Sequence, residues 1–397
     1  MLKVQEYLNK KTLEDLKNEY SIDYIIFDDK VVLSYSQLDS PKSDPIVKEC
    51  RGLILDKNNF SVMCYPFERF FNFGEGDSQN FNLSNFIPLE KLDGTLLNIY
   101  NDYHQDKWNT ATRRSAYADG LLPGGNFTIN QVVEQEVFNN KFQEVFKQFD
   151  KDINLMTELT SPYNKVIKPY SDSKITLIGA RNRKTLKEYN MDDLEEIAKE
   201  LGIPLVKTYP IDNIDDIKKS FGNFNGSERV VSLKTFDEGF VLLNPKTMER
   251  VKIKNPSYTA IAHLSEYDHE NQVRKLMPKR IAVLVMQQDH EEYLLSFPED
   301  KEQFAPYIDA YDKMIEERNY VLLKAKEIEN DKDFALEIKS SPLKGLAFSI
   351  RNGKTTFSEY ITKLNDDGKY KMLKNFVDPN FDYNNYINSE NNNSMKI

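Results

Sequence analysis

The sequence predicts an α+β fold built on antiparallel sheets, followed by an all-helical C-terminal domain. Before about residue 256, short runs of β-branched and aromatic residues alternate with a few helical stretches. After it, residues 260–286 and 301–330 show helical spacing. We therefore expect one domain over residues 1–258, a helical domain over 259–381, and a disordered tail over 382–397, which is rich in Asn and Ser.

The β component rests on short apolar or alternating runs bounded by turn residues. Such runs predict strands at 22–27, 31–35, 52–55, 62–67, 96–100, 153–159, 175–178, 239–243 and 251–254. Asp28-Asp29 separates the first two runs and predicts a hairpin. Helical spacing predicts helices at 131–148 and 192–201, and Thr12 with Asp15 predicts a capped helix start near the N-terminus.

Composition excludes several classes of protein. A net charge of −10 over 397 residues argues against passive coating of nucleic acid, which needs a basic face. Cys50 and Cys64 form no CxxC pair, so neither a disulfide framework nor a zinc site is predicted. We see no signal peptide and no apolar run long enough for a transmembrane helix. The expected location is the cytoplasm of a bacterium or of a virus-infected cell.

The most informative segment is Leu89–Leu96, in which a strand ends near Lys91 and Asp93-Gly94 makes a turn. A lysine at a strand end is held rigidly and faces a pocket. An ordinary lysine has a pKa of about 10.4, but burial or nearby cations favour the neutral amine. A neutral amine can attack the α-phosphate of a nucleotide. The K-x-D-G pattern alone also suits an ordinary turn with a solvated lysine, so both interpretations stay open.

Two lysines on a later strand strengthen the first interpretation. Val251-Lys252-Ile253-Lys254 alternates apolar and basic residues, so Lys252 and Lys254 share one face of the strand. Two ammonium groups on one rigid face suit a triphosphate, although a surface hairpin with a solvated charged face would show the same pattern. Four other groups allow the same two interpretations, exposed structural residues or nucleotide contacts: Arg51, Arg69, Glu158 and Glu238.

Taken in chain order, these elements resemble a known set of motifs. Lys91-x-Asp93-Gly94, Glu158, Glu238-Gly239 and Lys252-x-Lys254 are similar to motifs I, III, IV and V of the covalent nucleotidyltransferases. That superfamily comprises DNA ligases, RNA ligases and mRNA capping enzymes. Four motifs in the same order are a much more specific signal than one lysine in a turn.

The finer resemblance is to the bacteriophage RNA ligase 1 family of the tRNA-repair type. It rests on Glu49–Gly52, on Phe70-Phe71-Asn72 upstream of the lysine, and on Tyr258 after motif V, and covers roughly residues 20–260. This chain has Arg69 where the family often has lysine, which keeps the charge but changes the geometry. The segment 112–114 departs from the family pattern, and we predict no role for it.

The resemblance implies a nucleotidyltransferase (ATP-grasp-like ligase) domain that joins RNA 3′-hydroxyl and 5′-phosphate ends through lysyl-AMP and adenylylated RNA. One alternative is a DNA ligase or capping enzyme, which usually continues into an OB-fold where this sequence shows helices. Another is a catalytically inactive protein that binds RNA ends. The expected partners are single-stranded RNA ends or a nicked tRNA anticodon loop, without a membrane, and a monomer is the default.

The expected co-substrate is ATP and the expected metal is Mg²⁺, held by Glu158 and Glu238, mainly through water. Glu158 should bind the ribose or organise that water. Glu238 should also take the proton from Lys91, and Asp93 should orient the lysine loop or serve the 3′-hydroxyl step. The predicted catalytic residues are Lys91, Asp93, Glu238, Lys252 and Lys254. The predicted nucleotide contacts are Arg51, Arg69, Lys91, Gly94, Glu158, Glu238, Lys252 and Lys254.

Overall fold

The computed structural model describes residues 1–122, 126–164, 168, 170–221, 238–255, 258–259, 267–268, 273–274 and 277–379. The tail predicted over 382–397 lies outside these residues. The chain forms two compact units, residues 1–262 and residues 263–397. Among the helices of the described part, none combines the length and the hydropathy that a membrane crossing requires.

A four-stranded antiparallel sheet forms the N-terminal part of the first unit, with its strands in chain order. The strands are β1 (Ile22–Phe27), β2 (Lys30–Tyr35), β3 (Arg51–Asp56) and β4 (Val62–Cys64). The hairpin predicted at Asp28-Asp29 is confirmed, because β1 and β2 pair antiparallel on either side of it. Helices Lys3–Leu8 and Leu13–Tyr20 contribute Val4, Leu8 and Leu16 to the core of this sheet. Thr12 caps the second helix as predicted, by accepting the Asp15 N–H.

A second antiparallel sheet has the strand order β7-β6-β8-β9. Its strands are β6 (Thr95–Asp102), β7 (Lys107–Ala111), β8 (Ile153–Thr160) and β9 (Lys174–Asn182). The predicted helix at 192–201 is confirmed as Met191–Leu201, and its Leu194, Ile197 and Leu201 enter the core beneath the sheet. Other connections in the described part of this unit include helix Pro45–Glu49, helix Ile214–Ser220 and the 3-10 turn Gly76–Asn80.

The prediction of one long helix over 131–148 is wrong. The chain instead forms a helical turn at Ile129–Val132, a π-helical turn at Val133–Val137 and another turn at Phe142–Val145. Asn139 and Asn140 interrupt the helix because both have a left-handed backbone, with φ of 49° and 64°. The apolar residues whose spacing suggested one helix are nevertheless buried together, since Val133, Phe142 and Phe146 all enter the same core.

A three-stranded sheet with the order β11-β10-β5 brings together segments that are far apart in the chain. Its strands are β5 (Ile87–Lys91), β10 (Gly239–Leu243) and β11 (Arg250–Lys254), all antiparallel. In the register of this sheet Gly239 lies opposite Lys91 on one side and opposite Lys254 on the other. The predicted motifs I, IV and V therefore meet at one end of one sheet.

The second unit is helical, as predicted, with one addition. Its helices are Pro278–Gln287, His290–Ser296, Lys301–Glu327, Asp331–Glu337, Lys344–Arg351, Phe357–Lys363 and Asp366–Lys374, with a 3-10 turn at Pro298–Asp300. Among the described residues of the span 260–286, the helix that is seen begins at Pro278, where a proline suits the first turn. Before it lies a short hairpin of β12 (Tyr267–Asp268) and β13 (Val273–Arg274), which helical spacing did not predict.

A buried ion pair links the first two sheets and yields a stability prediction. The Nζ of Lys30, whose side chain is fully buried, lies 2.5 Å from the carboxylate of the buried Asp102. It also lies 2.6 Å from the partly exposed carboxylate of Asp29. Lys30→Ala should lower the free energy of unfolding by about 3 kcal/mol, because it leaves the Asp102 charge buried and unpaired. Urea unfolding measures this loss. Lys107→Ala, at an exposed position on β7, is the control; equal losses in both variants would contradict the prediction.

Candidate active site

Three of the predicted site residues are in direct contact at the end of the β11-β10-β5 sheet. The ammonium group of Lys91 forms an ion pair with Glu238, and the Nζ of Lys254 lies 3.6 Å from the same carboxylate oxygen. The Glu238 side chain is 8% exposed, while both lysine side chains keep 19% of their surface accessible. A largely buried carboxylate shared by two partly accessible amines is suited to accept a proton from one of them.

Two glycines allow the backbones to approach closely around this pair. Gly239 has a φ of 143°, and a Cβ built on it would lie 2.1 Å from the Ile253 carbonyl oxygen. A Cβ on Gly94 would lie 2.3 Å from the Leu159 carbonyl oxygen and 3.2 Å from the Glu158 Cγ. Only glycine is compatible with these positions. The predicted glycine of motif I therefore sets how closely Glu158 approaches the lysine loop.

Asp93 is buried, and both of its carboxylate oxygens accept hydrogen bonds. The Tyr258 hydroxyl donates to Oδ1 over 2.8 Å, and the Lys168 backbone N–H donates to Oδ2 over 2.7 Å. The Lys254 ammonium lies 5.9 Å from the centre of the Tyr258 ring. These bonds tie the turn after Lys91 to the segment that follows motif V, so the geometry favours the loop-orienting role among those expected for Asp93.

Glu158 lies on β8 opposite Leu96 and is partly buried. The pKa of its carboxyl is raised to about 8: burial is the main cause and the negative charges of Glu238 and Asp93 add to it, while Lys91 and Arg51 oppose the shift. Glu158 is thus electrostatically coupled to Lys91, Glu238, Arg51 and Asp93. A cation bound near these carboxylates would offset their mutual repulsion.

Arg51, Arg69 and Arg113 surround Tyr35 at the end of β2. The guanidinium carbons of Arg69 and Arg113 lie 5.2 and 4.2 Å from the centre of the Tyr35 ring. Burial raises the pKa of the Tyr35 phenol, but the charges of Arg113, Arg69 and Arg51 outweigh it and lower that pKa. Among the described residues, Arg51 Nη1, Arg69 Nε and Arg113 Nε are buried without a hydrogen-bond partner. This arrangement suits a polyanion.

Arg113 is a candidate site residue that the sequence interpretation missed. It follows β7 within the segment 112–114, for which no role was predicted. Its guanidinium donates to the Tyr35 carbonyl oxygen, which places it beside Arg69 and Arg51. The available signal was the basic pair Arg113-Arg114 directly after a strand.

Phe70 connects this arginine cluster to the lysines of β11. The guanidinium carbon of Arg51 lies 5.6 Å and the Nζ of Lys252 lies 5.9 Å from the centre of the Phe70 ring. The Phe71–Phe73 segment runs alongside β11, since the Lys252 N–H donates to the Phe71 carbonyl and the Phe73 N–H donates to the Lys252 carbonyl. Lys252 and Lys254 share one face of β11, but the described contacts join Lys254 to Glu238 and Lys252 to Phe70.

For a divalent metal, the two predicted ligands are Glu158 and Glu238. The described residues contain no group of three or more His, Cys, Asp or Glu side chains that could hold a metal ion. Mg²⁺ usually keeps several waters and takes only one or two protein carboxylates beside substrate phosphates. The two glutamates therefore fit water-mediated binding better than a full protein cage.

The raised pKa of Glu158 yields a pH prediction. The carboxyl has an ordinary pKa of 4.5 and a pKa of about 8 in the folded protein. Its contribution to the free energy of unfolding is therefore fully present below pH 4.5 and is lost as the pH rises through 8. Without nucleotide or metal, Glu158→Gln should therefore gain stability relative to the parent chain between pH 5 and pH 8. Urea midpoints at several pH values measure this difference. A difference that does not change with pH would contradict the assignment.

Comparison with known proteins identifies the family of this chain. A family model described as RNA ligase matches residues 49–258. A protein of Autographa californica nuclear polyhedrosis virus, whose name pairs polynucleotide kinase with RNA ligase, is 29% identical over 88% of this chain. The chain spans about half, 49%, of that relative's length.

Two further likenesses are weaker. An RNA ligase of Rhodothermus phage RM378 is 23% identical over 67% of this chain and 69% of the relative. The solved structure of an archaeal ATP-dependent RNA ligase aligns with a TM-score of 0.46 at 12% identity, covering 81% of this chain and 78% of that one. The matched family segment comprises more than half of the 397 residues and contains every predicted motif. The chain belongs to this RNA ligase family, the phage RNA ligase 1 type that its motifs predict.

Proposed function

We propose that the chain is an ATP-dependent RNA ligase in which Lys91 becomes adenylylated. The supporting observation is the Lys91 ammonium paired with the largely buried Glu238, which Lys254 shares. Once neutral, the Lys91 nitrogen attacks the α-phosphorus of ATP, so a P–N bond forms and the bond to pyrophosphate breaks. The amine proton passes to Glu238. This assignment makes Glu238 the proton acceptor and Lys91 the nucleophile.

Two further transfers complete the proposed reaction. A 5′-phosphate oxygen of RNA attacks the adenylyl phosphorus, which breaks the P–N bond and forms a 5′-to-5′ linkage. An RNA 3′-hydroxyl then attacks the RNA 5′-phosphorus, AMP leaves, and a 3′–5′ phosphodiester results. Asp93, held by Tyr258, keeps the lysine loop in place during these steps.

The remaining site residues neutralise phosphate charge. Lys252 and Lys254 stabilise negative charge that develops on the phosphates, and Arg51 and Arg69 contact the outer phosphates. Arg113 joins this group because it shares Tyr35 with Arg69. Mg²⁺, when bound through water to Glu158 and Glu238, would add positive charge at the same phosphates.

Two other functions remain as alternatives. The first is that of a DNA ligase or capping enzyme, and the second is that of a catalytically inactive protein that binds RNA ends. The family match favours RNA over DNA, and the contact between Lys91 and Glu238 favours an active enzyme over an inactive one. As substrate we propose single-stranded RNA ends, such as those of a nicked tRNA anticodon loop, in RNA repair. The free, buried Cys50 and Cys64 are compatible with a reducing compartment.

The first test is transfer of label from α-labelled ATP to the protein. The parent chain should become labelled, and Lys91→Ala should not, because the P–N bond needs the Lys91 amine. Denaturing electrophoresis measures the label, with Lys107→Ala at an exposed strand position as the control. Equal labelling of Lys91→Ala and the parent would contradict the proposal, and labelling from GTP in place of ATP would favour a capping enzyme.

The second test concerns Lys252. Lys252→Ala should slow self-adenylylation by about 100-fold, the loss typical when one stabilising donor is removed from a transition state. The rate of label incorporation measures this, and circular dichroism checks that the fold persists. Lys246→Ala, at an exposed position in the turn between β10 and β11, is the matched control. If Lys252→Ala labelled as fast as this control, Lys252 would have no role at the phosphates.

A further inference from the structure

Glu75, which no sequence pattern singled out, lies directly before the 3-10 turn Gly76–Asn80 and joins two parts of the proposed phosphate site. Its Oε1 accepts from Arg69 Nη2 over 3.3 Å. Its Oε2 accepts from the backbone N–H and the side-chain Nδ2 of Asn72 over 3.1 and 2.8 Å. The Glu75 side chain keeps 15% of its surface accessible. A carboxylate that accepts three hydrogen bonds from two residues is fixed in both position and orientation.

The bonds from Asn72 connect this carboxylate to the strand that carries Lys252. Asn72 pairs with Lys252 across a parallel bridge, in which the Lys252 N–H donates to the Phe71 carbonyl over 2.9 Å. On the other side of Asn72, the Phe73 N–H donates to the Lys252 carbonyl over 2.7 Å. The Glu75 carboxylate therefore has a defined place relative to β11 and to Lys252.

Three contacts hold the Arg69 guanidinium. Besides Glu75, the Tyr35 hydroxyl accepts from Nη1 over 3.1 Å, and the centre of the Phe71 ring lies 4.8 Å from the guanidinium carbon. Of these three contacts, the one with Glu75 supplies the opposite charge. The Arg69 side chain keeps 8% of its surface accessible, so a small rotation would withdraw it from a bound phosphate. A guanidinium that is already held also loses less rotamer freedom when it binds.

Glu75 also offsets repulsion among the guanidinium groups around Tyr35. Burial lowers the pKa of Arg113, and the positive charges of Arg51 and Arg69 add to that shift. Each of these groups therefore raises the free energy of the others when no phosphate is bound. A carboxylate 3.3 Å from Arg69 lowers that cost, so the cluster can stay assembled before ATP arrives.

We infer that Glu75 is a positioning residue for the triphosphate of ATP. It holds Arg69 in a fixed place relative to Lys252 and acts through Arg69, without touching the nucleotide itself. This inference rests on the proposed function for the identity of the ligand. The outer phosphates leave as pyrophosphate in the first transfer, so the role of Glu75 is confined to the adenylylation of Lys91. The joining of RNA ends does not need it.

Glu75→Gln tests this role, because an amide offers one acceptor oxygen and one NH₂ donor and cannot accept from both Arg69 and Asn72 as the carboxylate does. The ATP concentration that gives the half-maximal rate of Lys91 labelling should rise about tenfold, the loss expected for one hydrogen bond to a charged group. The maximal rate should fall less than about threefold. Asp77→Asn makes the same change of charge two residues away, where the carboxylate pairs with Lys48, and should behave like the parent chain.

A second measurement separates positioning from a general effect on the fold. RNA that already carries the 5′-to-5′ AMP cap can be sealed without any outer phosphate, so Glu75→Gln should seal it within about twofold of the parent rate. Equal losses in sealing and in labelling would make Glu75 a structural residue and overturn the inference. A half-saturating ATP concentration equal to that of Asp77→Asn would overturn it as well.

A double variant tests whether Glu75 acts through Arg69. In an Arg69→Ala background, Glu75→Gln should raise the half-saturating ATP concentration by less than about twofold, because the group that it positions is absent. An undiminished tenfold effect in that background would contradict the positioning role. Labelling of the parent with no change in Glu75→Gln overturns this inference alone. Absence of labelling in the parent itself contradicts the proposed function and the inference with it.

Discussion

The site depends on the close approach of β10 to both of its neighbours at Gly239. Because Gly239 lies opposite Lys91 and Lys254 at once, the preceding residue, Glu238, can contact both ammonium groups. The absence of a side chain at Gly239 makes this register sterically possible, since a Cβ would meet the Ile253 carbonyl. A backbone constraint in one strand thus determines the charge environment of Lys91, the proposed nucleophile.

Electrostatic compensation shapes the rest of the first unit. Near Lys91, burial raises the pKa of Glu158, and the neighbouring carboxylates of Glu238 and Asp93 add to that rise while Lys91 opposes it. Around Tyr35 the balance is reversed: three guanidinium groups lie there, and the ion pair described for them within the described residues joins Arg69 to Glu75 at 3.3 Å. The free protein therefore holds positive charge where phosphates would bring negative charge, and binding of an anion would relieve that imbalance.

Sequence spacing was informative where one strand controls the position of a side chain. Alternation along β11 was enough to place Lys252 and Lys254 on one face, and the turn after β5 was enough to expose Lys91. Sequence spacing was not informative where the position of a side chain depends on contacts between segments that are distant in the chain. Arg113 reaches Arg69 only because the turn after β7 meets the end of β2, and no local pattern encodes that meeting. The break in the helix predicted over 131–148 likewise needed two consecutive asparagines to adopt left-handed backbone conformations, which spacing does not reveal.

The hydrogen bond from Tyr258 to Asp93 limits where the first unit can be divided. This bond joins Asp93 of motif I to Tyr258, the last residue of the matched family segment. It also gives a hydrogen-bond donor to the Asp93 carboxylate, since Asp93 is only 3% exposed. A fragment that stopped before residue 258 would keep every charged group of motifs I to V. It would nevertheless bury the Asp93 charge with one donor fewer, next to the nucleophile. The smallest fragment that keeps the proposed adenylylation site intact must therefore extend through Tyr258, even though that residue follows the last lysine motif.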